Sequence, residues 1–145
     1  MASSFATVID ALRLRLEDDL ANCAKVTRGA TLSGNVGAKP ALQIRLVSAT
    51  PDVDKFNPPK WSLGVELHVH GQAEQDDETM QDLAYRIEAA LERRDGEAAG
   101  HWTNLGGACR WACPGGQVEF RGGALAGVAS LVFPIRIEAL PRRSE

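Results

Sequence analysis

Residues 60 to 94 read KWSLGVELHVHGQAEQDDETMQDLAYRIEAALERR, and this stretch decides the fold. Its first part, residues 60 to 70, alternates apolar and polar side chains, which is the period of two that places one face of a strand on a core. The apolar set is Trp61, Leu63, Val65, Leu67 and Val69. The pattern predicts a half-buried strand at the centre of a sheet.

Beyond this strand the period changes to that of a helix. One apolar stripe is formed by Met80, Leu83, Ala84, Ile87, Ala90 and Leu91. Asp76 or Asp77 is placed to cap the first turn. Arg93 and Arg94 fall in the last turn, and Gly96 is placed to end the helix. We therefore expect a strand followed by an amphipathic helix, a unit that supplies scaffold and no chemistry by itself.

The whole chain, residues 1 to 145, has the length and composition of one soluble globular domain, with residues 1–2 and 141–145 as flexible ends. A formal net charge of −3 disfavours a nucleic-acid-binding module, which usually carries a concentrated basic face. No apolar run approaches the roughly 18 residues of a membrane helix, and the N-terminus lacks the basic start of a secretory signal. Three cysteines, an odd number, indicate synthesis in the reducing cytoplasm without a disulfide framework.

A first helix is predicted from a Ser3 or Ser4 cap to about Leu20. Its buried face consists of Phe5, Val8, Ile9, Leu12, Leu16 and Leu20. Four charged side chains of this helix are expected to face water: Arg13, Arg15, Glu17 and Asp18. Residues 21 to 40 then form a glycine-rich connection, with a short edge strand at Lys25 to Arg28.

A second strand starts at Pro40 and alternates apolar and polar residues as far as Val47. A long loop over residues 48 to 59 is predicted after it, and loops of this length are usually functional or mobile. Phe56 in the middle of this loop has two open interpretations. Its side chain either stays exposed for a partner or folds back onto the core.

Residues 95 to 116 are rich in glycine and are predicted to form a loop, yet they contain Trp102, Trp111, Cys109 and Cys113. A loop with two tryptophans is expensive to leave solvated. Contact with a partner and packing over the sheet edge are both open interpretations of this region.

The chain ends as a predicted hairpin. A short strand at residues 117 to 121 leads through a turn at 122 to 127 into a long strand with alternating apolar residues. Pro134 cannot donate to a β-ladder, so this strand is expected at a sheet edge or with a bulge at the proline. The order of elements predicts an α+β fold, with an antiparallel or mixed sheet of about four to five strands and two helices packed on one face.

Metal binding is disfavoured by the spacing of the candidate ligands. His68 and His70 share one strand face, but Cys109 and Cys113 are one residue wider apart than the common zinc spacing, and no second pair follows. The alternative is that the histidines face solvent and the cysteines fill apolar space. No Gly-x-Ser-x-Gly elbow and no phosphate loop occurs, so no catalytic residue, cofactor or enzymatic activity is predicted.

The order of parts along the chain is more informative. A glycine- and alanine-rich connection leads from the first helix into PALQI at residues 40–44. SLGVELHVHG at 62–71 precedes a helix that ends with LAYRIEAAL at 83–91, and GVASLVFPIRI at 127–137 comes last. Over about residues 3 to 139, this sequence resembles the tail terminator (minor tail protein) family of long-tailed bacteriophages and phage-like particles.

The resemblance implies a small α+β subunit that assembles with copies of itself into a ring, typically a hexamer. Such a ring caps the finished tail tube, stops its polymerisation and presents a surface for joining the head. The implied partners are the tail tube protein and a head–tail connector or stopper protein, while DNA passes through the lumen without specific binding and no membrane is involved. The implied location is the virion, at the tail end that faces the head.

Candidate interface residues come from this sequence alone, because the resemblance supplies no motif for them. Aromatic and neighbouring basic side chains are the candidates for contacts with other copies or with the tube: Phe56, Lys55, Trp102, Arg110 and Trp111. Arg45, Glu66 and His68 are the candidates for a polar face that lines the lumen. Three rival interpretations stay open. The first is another head–tail connector, such as a stopper or tail-completion protein, and the second is a small metal or thiol enzyme. The third is a monomeric ligand-binding domain, for which the sequence shows no pocket-forming pattern.

Overall fold

The computed structural model describes residues 5–28, 40–71, 77–97, 100–121 and 129–139. Within these ranges the helices and strands are α1 (Phe5–Asp19), β1 (Lys25–Arg28), β2 (Ala41–Asp52), β3 (Lys60–His70), α2 (Asp77–Ala90), β4 (Cys109–Pro114), β5 (Glu119–Arg121) and β6 (Ser130–Ala139). A short 3-10 helix, Leu105–Gly107, precedes β4. The predicted α+β fold is confirmed.

The strands form one mixed sheet in the order β1-β2-β3-β6-β4. β1 runs parallel to β2, whereas the other pairs are antiparallel. β3 and β6 pair along almost their whole length, from Trp61 with Ala139 to His70 with Ser130. On the other side of β6, β4 and β5 pair with successive parts of the strand. The central strand of the sheet is therefore β3, as the alternating pattern of residues 60 to 70 predicts.

The core lies between one face of the sheet and both helices. Alternate residues of β3 and β6 pack with the apolar stripes of α1 and α2 in a single cluster, which includes Leu63, Val65, Leu67, Val69, Leu131, Phe133, Ile135, Ile137, Val8, Leu12, Leu16, Met80, Leu83 and Ile87. Burying a side chain of this kind contributes roughly 1.5–3 kcal/mol. Both helices thus share one face, and the opposite face, which carries Arg45, Glu66, His68 and Arg136, is called the open face below.

β2 is longer than the sequence indicates. The loop predicted over residues 48 to 59 is shorter in the structure, because β2 continues to Asp52 against β3. A register shift at Val47 hides this continuation, since a bulge adds one residue and breaks the alternation of apolar and polar side chains. Past the bulge Ser48 faces Gly64, where any Cβ atom would collide with the Ser48 hydroxyl.

The prediction that Pro134 marks a sheet edge or a bulge in its strand is wrong. β6 has β3 on one side and β4 and β5 on the other. Pro134 lies between the residues that pair with β5 and those that pair with β4, at the point where the neighbouring chain leaves the ladder. Its carbonyl accepts the Gly115 N–H at 2.8 Å on that side. A missing N–H is tolerated there because no strand residue stands opposite to accept it.

The region predicted as a loop over residues 95 to 116 contains a strand. β4 occupies Cys109–Pro114 and follows the short 3-10 helix. Its pairing with β6 shifts register between Cys109 and Trp111, so its burial pattern does not alternate regularly. The bulge and the flanking glycines together explain why no strand period is visible in the sequence.

Arg15 is the residue that the helical pattern places wrongly. It is expected in water but is only 8% exposed, and its guanidinium reaches the end of α2. Nε donates to the Ala90 carbonyl at 2.9 Å and Nη2 donates to the Glu92 carbonyl at 2.6 Å, while Nη1 lies 3.2 Å from Glu97 Oε1. Carbonyls in the last turn of a helix lack helical partners, so Arg15 satisfies groups that would otherwise be left unpaired.

This contact coincides with the end of α2. The helix stops at Ala90, so Arg93, Arg94 and Gly96 lie beyond it rather than in its last turn and at its end. Arg93 N–H donates instead to the His101 carbonyl at 2.9 Å. The backbone that follows α2 is therefore hydrogen-bonded to the segment before β4 and does not continue the helix.

Some predictions concern residues outside the described ranges: the Ser3, Ser4 and Asp76 caps, the turn at 122 to 127, and the chain ends at 1–2 and 141–145. In the described part of the chain, no helix has the length and apolar character needed to cross a bilayer.

Replacing Arg15 and Arg13 in turn compares how much a buried and a more exposed arginine of α1 contribute to stability. We expect Arg15→Met to lower the free energy of unfolding by about 3–5 kcal/mol, because it removes the positive charge next to the nearly buried Glu97 and the donor to the Ala90 and Glu92 carbonyls. Arg13→Met, two residues away, removes a more exposed ion pair with Glu17. It should change the free energy of unfolding by about 1 kcal/mol or less. Urea unfolding at pH 7 measures both. Equal effects of the two substitutions would show that Arg15 does not hold the end of α2.

Candidate functional site

The loop between β2 and β3, residues 53 to 59, presents an exposed aromatic side chain. Phe56 is 88% exposed, which decides between the two interpretations in favour of exposure. The Asp54 carboxylate accepts the Phe56 N–H at 3.0 Å and the Asn57 amide at 3.0 Å, and these two hydrogen bonds lower the pKa of Asp54. A turn of this kind restrains the backbone locally. This segment, called the tip loop below, therefore presents Phe56 to solvent on a backbone that hydrogen bonds restrain.

A second site is organised by Glu97, whose side chain is 9% exposed. Its two carboxylate oxygens accept hydrogen bonds from the Arg94 N–H at 2.7 Å, the Arg15 guanidinium at 3.2 Å, the Thr103 hydroxyl at 2.6 Å, the Asn104 N–H at 3.2 Å and the Gly106 N–H at 3.3 Å. Burial by itself would raise the pKa of Glu97, but these hydrogen bonds outweigh it and lower the pKa to about 2. Glu97 is therefore an ionised anchor for the backbone that leads into β4.

That backbone carries the two tryptophans. Trp102 forms an isolated bridge with Glu92, and Thr103 forms one with Ala112 of β4, so the segment runs beside β4. Trp102 and Trp111 are both half-buried and line an open pocket of about 310 Å³. The pocket, called the Trp pocket below, is lined by Gly100, His101, Trp102, Asn104, Arg110, Trp111 and Cys113.

The polar rim of the Trp pocket carries both charge signs. Arg110 is half-exposed and its Nε lies 3.4 Å from Glu138 Oε2. His101 packs edge-on against Trp102 with ring centroids 4.5 Å apart, and its Nε2 lies 3.8 Å from Glu92 Oε1. Trp111 belongs to strand β4 and not to a loop, which corrects its predicted setting. The pocket thus combines aromatic walls with a rim on which Arg110 lies close to Glu138 and His101 lies close to Glu92.

The three residues predicted for a polar face are brought together on the open face. Arg45 of β2 is paired in register with Glu66 of β3, and His68 lies two positions further along β3. His68 Nε2 and Glu66 Oε1 are 3.0 Å apart. Positive and negative groups are therefore adjacent here. Arg136 and Glu138 of β6 lie on the same face and add one charge of each sign, so the described part of this face carries a mixed charge.

The four candidate metal ligands do not converge. Cys109 is buried on the core face opposite Ala139, whereas Cys113 lies on the open face. His68 and His70 are near the other end of β6. Among the residues that the structure describes, no group of three or more His, Cys, Asp or Glu side chains is placed to hold a metal ion.

The cysteines are in poor settings for nucleophilic chemistry. Burial, with a smaller contribution from the Glu97 charge, raises the pKa of the Cys109 thiol to about 12. Burial also raises the pKa of Cys113, against a smaller opposing effect of Arg136. A thiol whose pKa is raised is mostly protonated at neutral pH, and the thiolate is the reactive form.

One groove was missed by the sequence reasoning. It lies between α2 and β5, measures about 330 Å³ and is lined by Gln81, Ala84, Tyr85, Glu88, Val118, Phe120 and Phe133. Tyr85 is 75% exposed on its rim. A signal was present, since Tyr85 is a large aromatic residue off the apolar stripe of its helix.

The fold and these surfaces define the class: an α+β protein with one mixed sheet, both helices on one face, and an open second face. No family model matches the chain, and no curated protein matches it. Among solved structures, it is similar to a chain of the "Virion of native gene transfer agent (GTA) particle", with a TM-score of 0.62 and 13% sequence identity. The match covers 94% of this chain and 98% of that one. The two chains therefore share a fold over nearly their full lengths.

Glu97 offers a pH test of the second site. Its folded-state pKa of about 2 lies below the ordinary value of 4.5, so the ionised form stabilises the native state above about pH 4.5 and this gain is lost as the pH falls towards 2. Glu97→Gln should lower the free energy of unfolding by about 2–3 kcal/mol at pH 7. The difference from the wild type should shrink between pH 4.5 and pH 2.

The matched control is Glu17→Gln, which removes a partly exposed carboxylate paired with Arg13 on α1. It should change stability by less than about 1 kcal/mol. Urea titrations at a series of pH values measure both variants. A Glu97→Gln effect that stays constant with pH would contradict an ionised, hydrogen-bonded Glu97.

Proposed function

We propose that this chain is a structural protein of a phage-like particle, and specifically a tail terminator. Copies of it would form a ring, typically a hexamer, that caps the finished tail tube, stops polymerisation and presents the surface to which the head joins. The observation that carries the proposal is the full-length fold likeness to a chain of a gene transfer agent virion. The order of sequence elements that resembles the tail terminator family supports the finer assignment.

The surfaces of the chain fit assembly. A ring of identical subunits needs two different patches on each subunit, since a head-to-tail contact joins one patch to another and closes by rotation. The tip loop with Phe56 and Lys55 is one candidate patch. The Trp pocket with Trp102, Arg110 and Trp111 is the other. Aromatic and arginine side chains dominate the binding energy of protein interfaces, which favours both.

The open face fits a lumen lining. Proteins that bind DNA tightly neutralise several phosphates with Lys and Arg side chains. On the open face the positive charge of Arg45 is adjacent to Glu66, and His68 is paired with Glu66. A lining of this composition would let DNA pass without specific binding. No enzymatic step is part of this function.

The proposed partners follow from the proposed place. They are other copies of the chain, the tail tube protein on one side of the ring and a head–tail connector or stopper protein on the other. The chain would be made in the cytoplasm of the bacterial host and located in the virion, at the tail end that faces the head. It would act as one domain over residues 1 to 145.

Deleting the gene in cells that produce the particle tests the proposal. We expect tails of uncontrolled length and heads without tails, because nothing stops the polymerising tube or offers the joining surface. Electron microscopy of the lysate measures tail length, and complementation with the wild-type chain is the control. Negative-stain images of the purified chain should also show a ring with a central hole.

The same deletion distinguishes a tail terminator from the rival assignment, a connector on the head side. If the chain is a stopper or another connector on the head side, tails of normal length accumulate beside unjoined heads. If particles form normally without the chain, the proposed role in tail termination is wrong.

A further inference from the structure

We propose that neighbouring copies of this chain join head to tail, with the tip loop of one copy inserting Phe56 into the Trp pocket of the next. This inference rests on the proposed function only in that it assumes self-assembly. It goes further by naming the two surfaces that meet and the direction in which they do so. The partner that occupies the Trp pocket is thus a second copy of the chain.

The tip loop has the properties of an insertable group. Phe56 is 88% exposed, and the Asp54 carboxylate accepts hydrogen bonds from its N–H and from the Asn57 side chain, which restrain the backbone around it. A restrained loop loses less conformational entropy on binding than an unrestrained one. A phenylalanine side chain buries roughly 150–250 Å² when it is covered, which makes it an effective anchor.

The Trp pocket has the properties of a receiver. Two half-buried tryptophans line an opening of about 310 Å³, and Glu97 fixes the backbone on which Trp102 lies through Thr103 and Asn104. Interface hot spots are enriched in tryptophan and lie in preformed, well-packed pockets. The pocket is thus held in place before a partner arrives.

The positions of the two surfaces favour a contact between copies. The tip loop joins β2 and β3, whereas the pocket lies beside β4 at the other edge of the sheet, with β6 between them. Two strand spacings of about 4.8 Å each separate β3 from β4. The high exposure of Phe56 shows that it does not fill the pocket of its own chain. Because the two patches are different, a contact between them is head to tail, and it closes into a ring when the rotation allows.

Charge complementarity supports the same pairing. Phe56 has a negative Asp54 and a positive Lys55 beside it in the sequence. On the rim of the pocket, Arg110 lies 3.4 Å from Glu138, and Glu92 lies 3.8 Å from His101. Arg110 and Glu92 are about half-exposed, so both can contact an incoming loop. Docking with Lys55 towards Glu92 would pair opposite charges, and Asp54 would then be a second carboxylate partner of Arg110 beside Glu138.

A native cysteine in the pocket allows a direct test. Cys113 lines the Trp pocket, so the thiol introduced by Lys55→Cys should form a disulfide with Cys113 of the next copy when diamide removes the two thiol hydrogens. We expect a ladder of covalent oligomers on a non-reducing gel, from the free chain at high concentration and from purified particles. Peptide mapping should identify the link to Cys113.

Two matched controls accompany this variant. Lys55→Cys combined with Cys113→Ala should lose the ladder. Asp82→Cys, which introduces a thiol at an exposed position of α2, should give none. Absence of a Cys113 link in both the free chain and the particles overturns the proposed contact.

Mixing variants tests the direction of the contact. Phe56→Ser removes the inserted group and keeps the pocket, whereas Trp111→Ala damages the pocket and keeps the loop. Each should weaken self-association by at least about 30-fold. Together they should form a one-to-one dimer and nothing larger, as measured by light scattering. If Trp111→Ala is misfolded by circular dichroism, Arg110→Glu replaces it.

The outcomes separate the contact from the proposed function. Rings that persist in Phe56→Ser, or a mixture that gives no dimer, overturn the insertion of Phe56 while tail termination still stands. Normal tails in cells that lack the chain overturn tail termination, whatever the cross-linking shows.

Discussion

The pair formed by Arg15 and Glu97 is the interaction on which the organisation of this chain depends. The two residues are 82 positions apart, and their contact joins α1 to the segment that follows α2. Arg15 also donates hydrogen bonds to the Ala90 and Glu92 carbonyls at and just beyond the end of α2. Glu97 accepts hydrogen bonds from the Thr103 hydroxyl and the Asn104 N–H, which precede β4. A buried ion pair adds little net stability over an apolar one, yet breaking it is costly. Its consequence here is structural: Thr103, Asn104 and Gly106 are held against Glu97, and Thr103 in turn bridges to Ala112, so that Trp102 lies beside β4.

Most of the scaffold could be predicted from the sequence, because its signals are local. α1, β3, α2 and β6 each bury one face, and a single period of 3.6 or 2 identifies them. The Arg15–Glu97 pair could not be predicted in this way. A helical pattern ranks a side chain by its type, so an arginine between exposed charges is placed in water, and the acceptors that bury it are distant in sequence. The extent of β2 was also hidden, since the bulge at Val47 interrupts the alternation while the pairing continues.

The candidate site shows the same division. Arg45, Glu66 and His68 could be grouped because the period of two puts alternate residues of neighbouring strands on one face. The cysteines show how one inserted residue changes such a prediction. Cys109 and Cys113 are four positions apart, an even number, and in a regular strand they would share a face. The register shift between Cys109 and Trp111 places them on opposite faces, so the spacing alone could not reveal that they are separated.

The edges of the sheet bear on how copies of the chain can meet. Beyond Ile44, the outer edge of β2 has no strand partner among the described residues, and such an edge could in principle add a strand from a neighbour. The edge carries a bulge at Val47 and a proline at Pro51, two features that disfavour continuous pairing with another strand. A contact between copies through this side of the molecule therefore depends more on side chains than on a shared ladder. Among the described residues, the most exposed large hydrophobic side chain is Phe56 of the tip loop, which follows this edge, and hydrogen bonds to Asp54 restrain the backbone there.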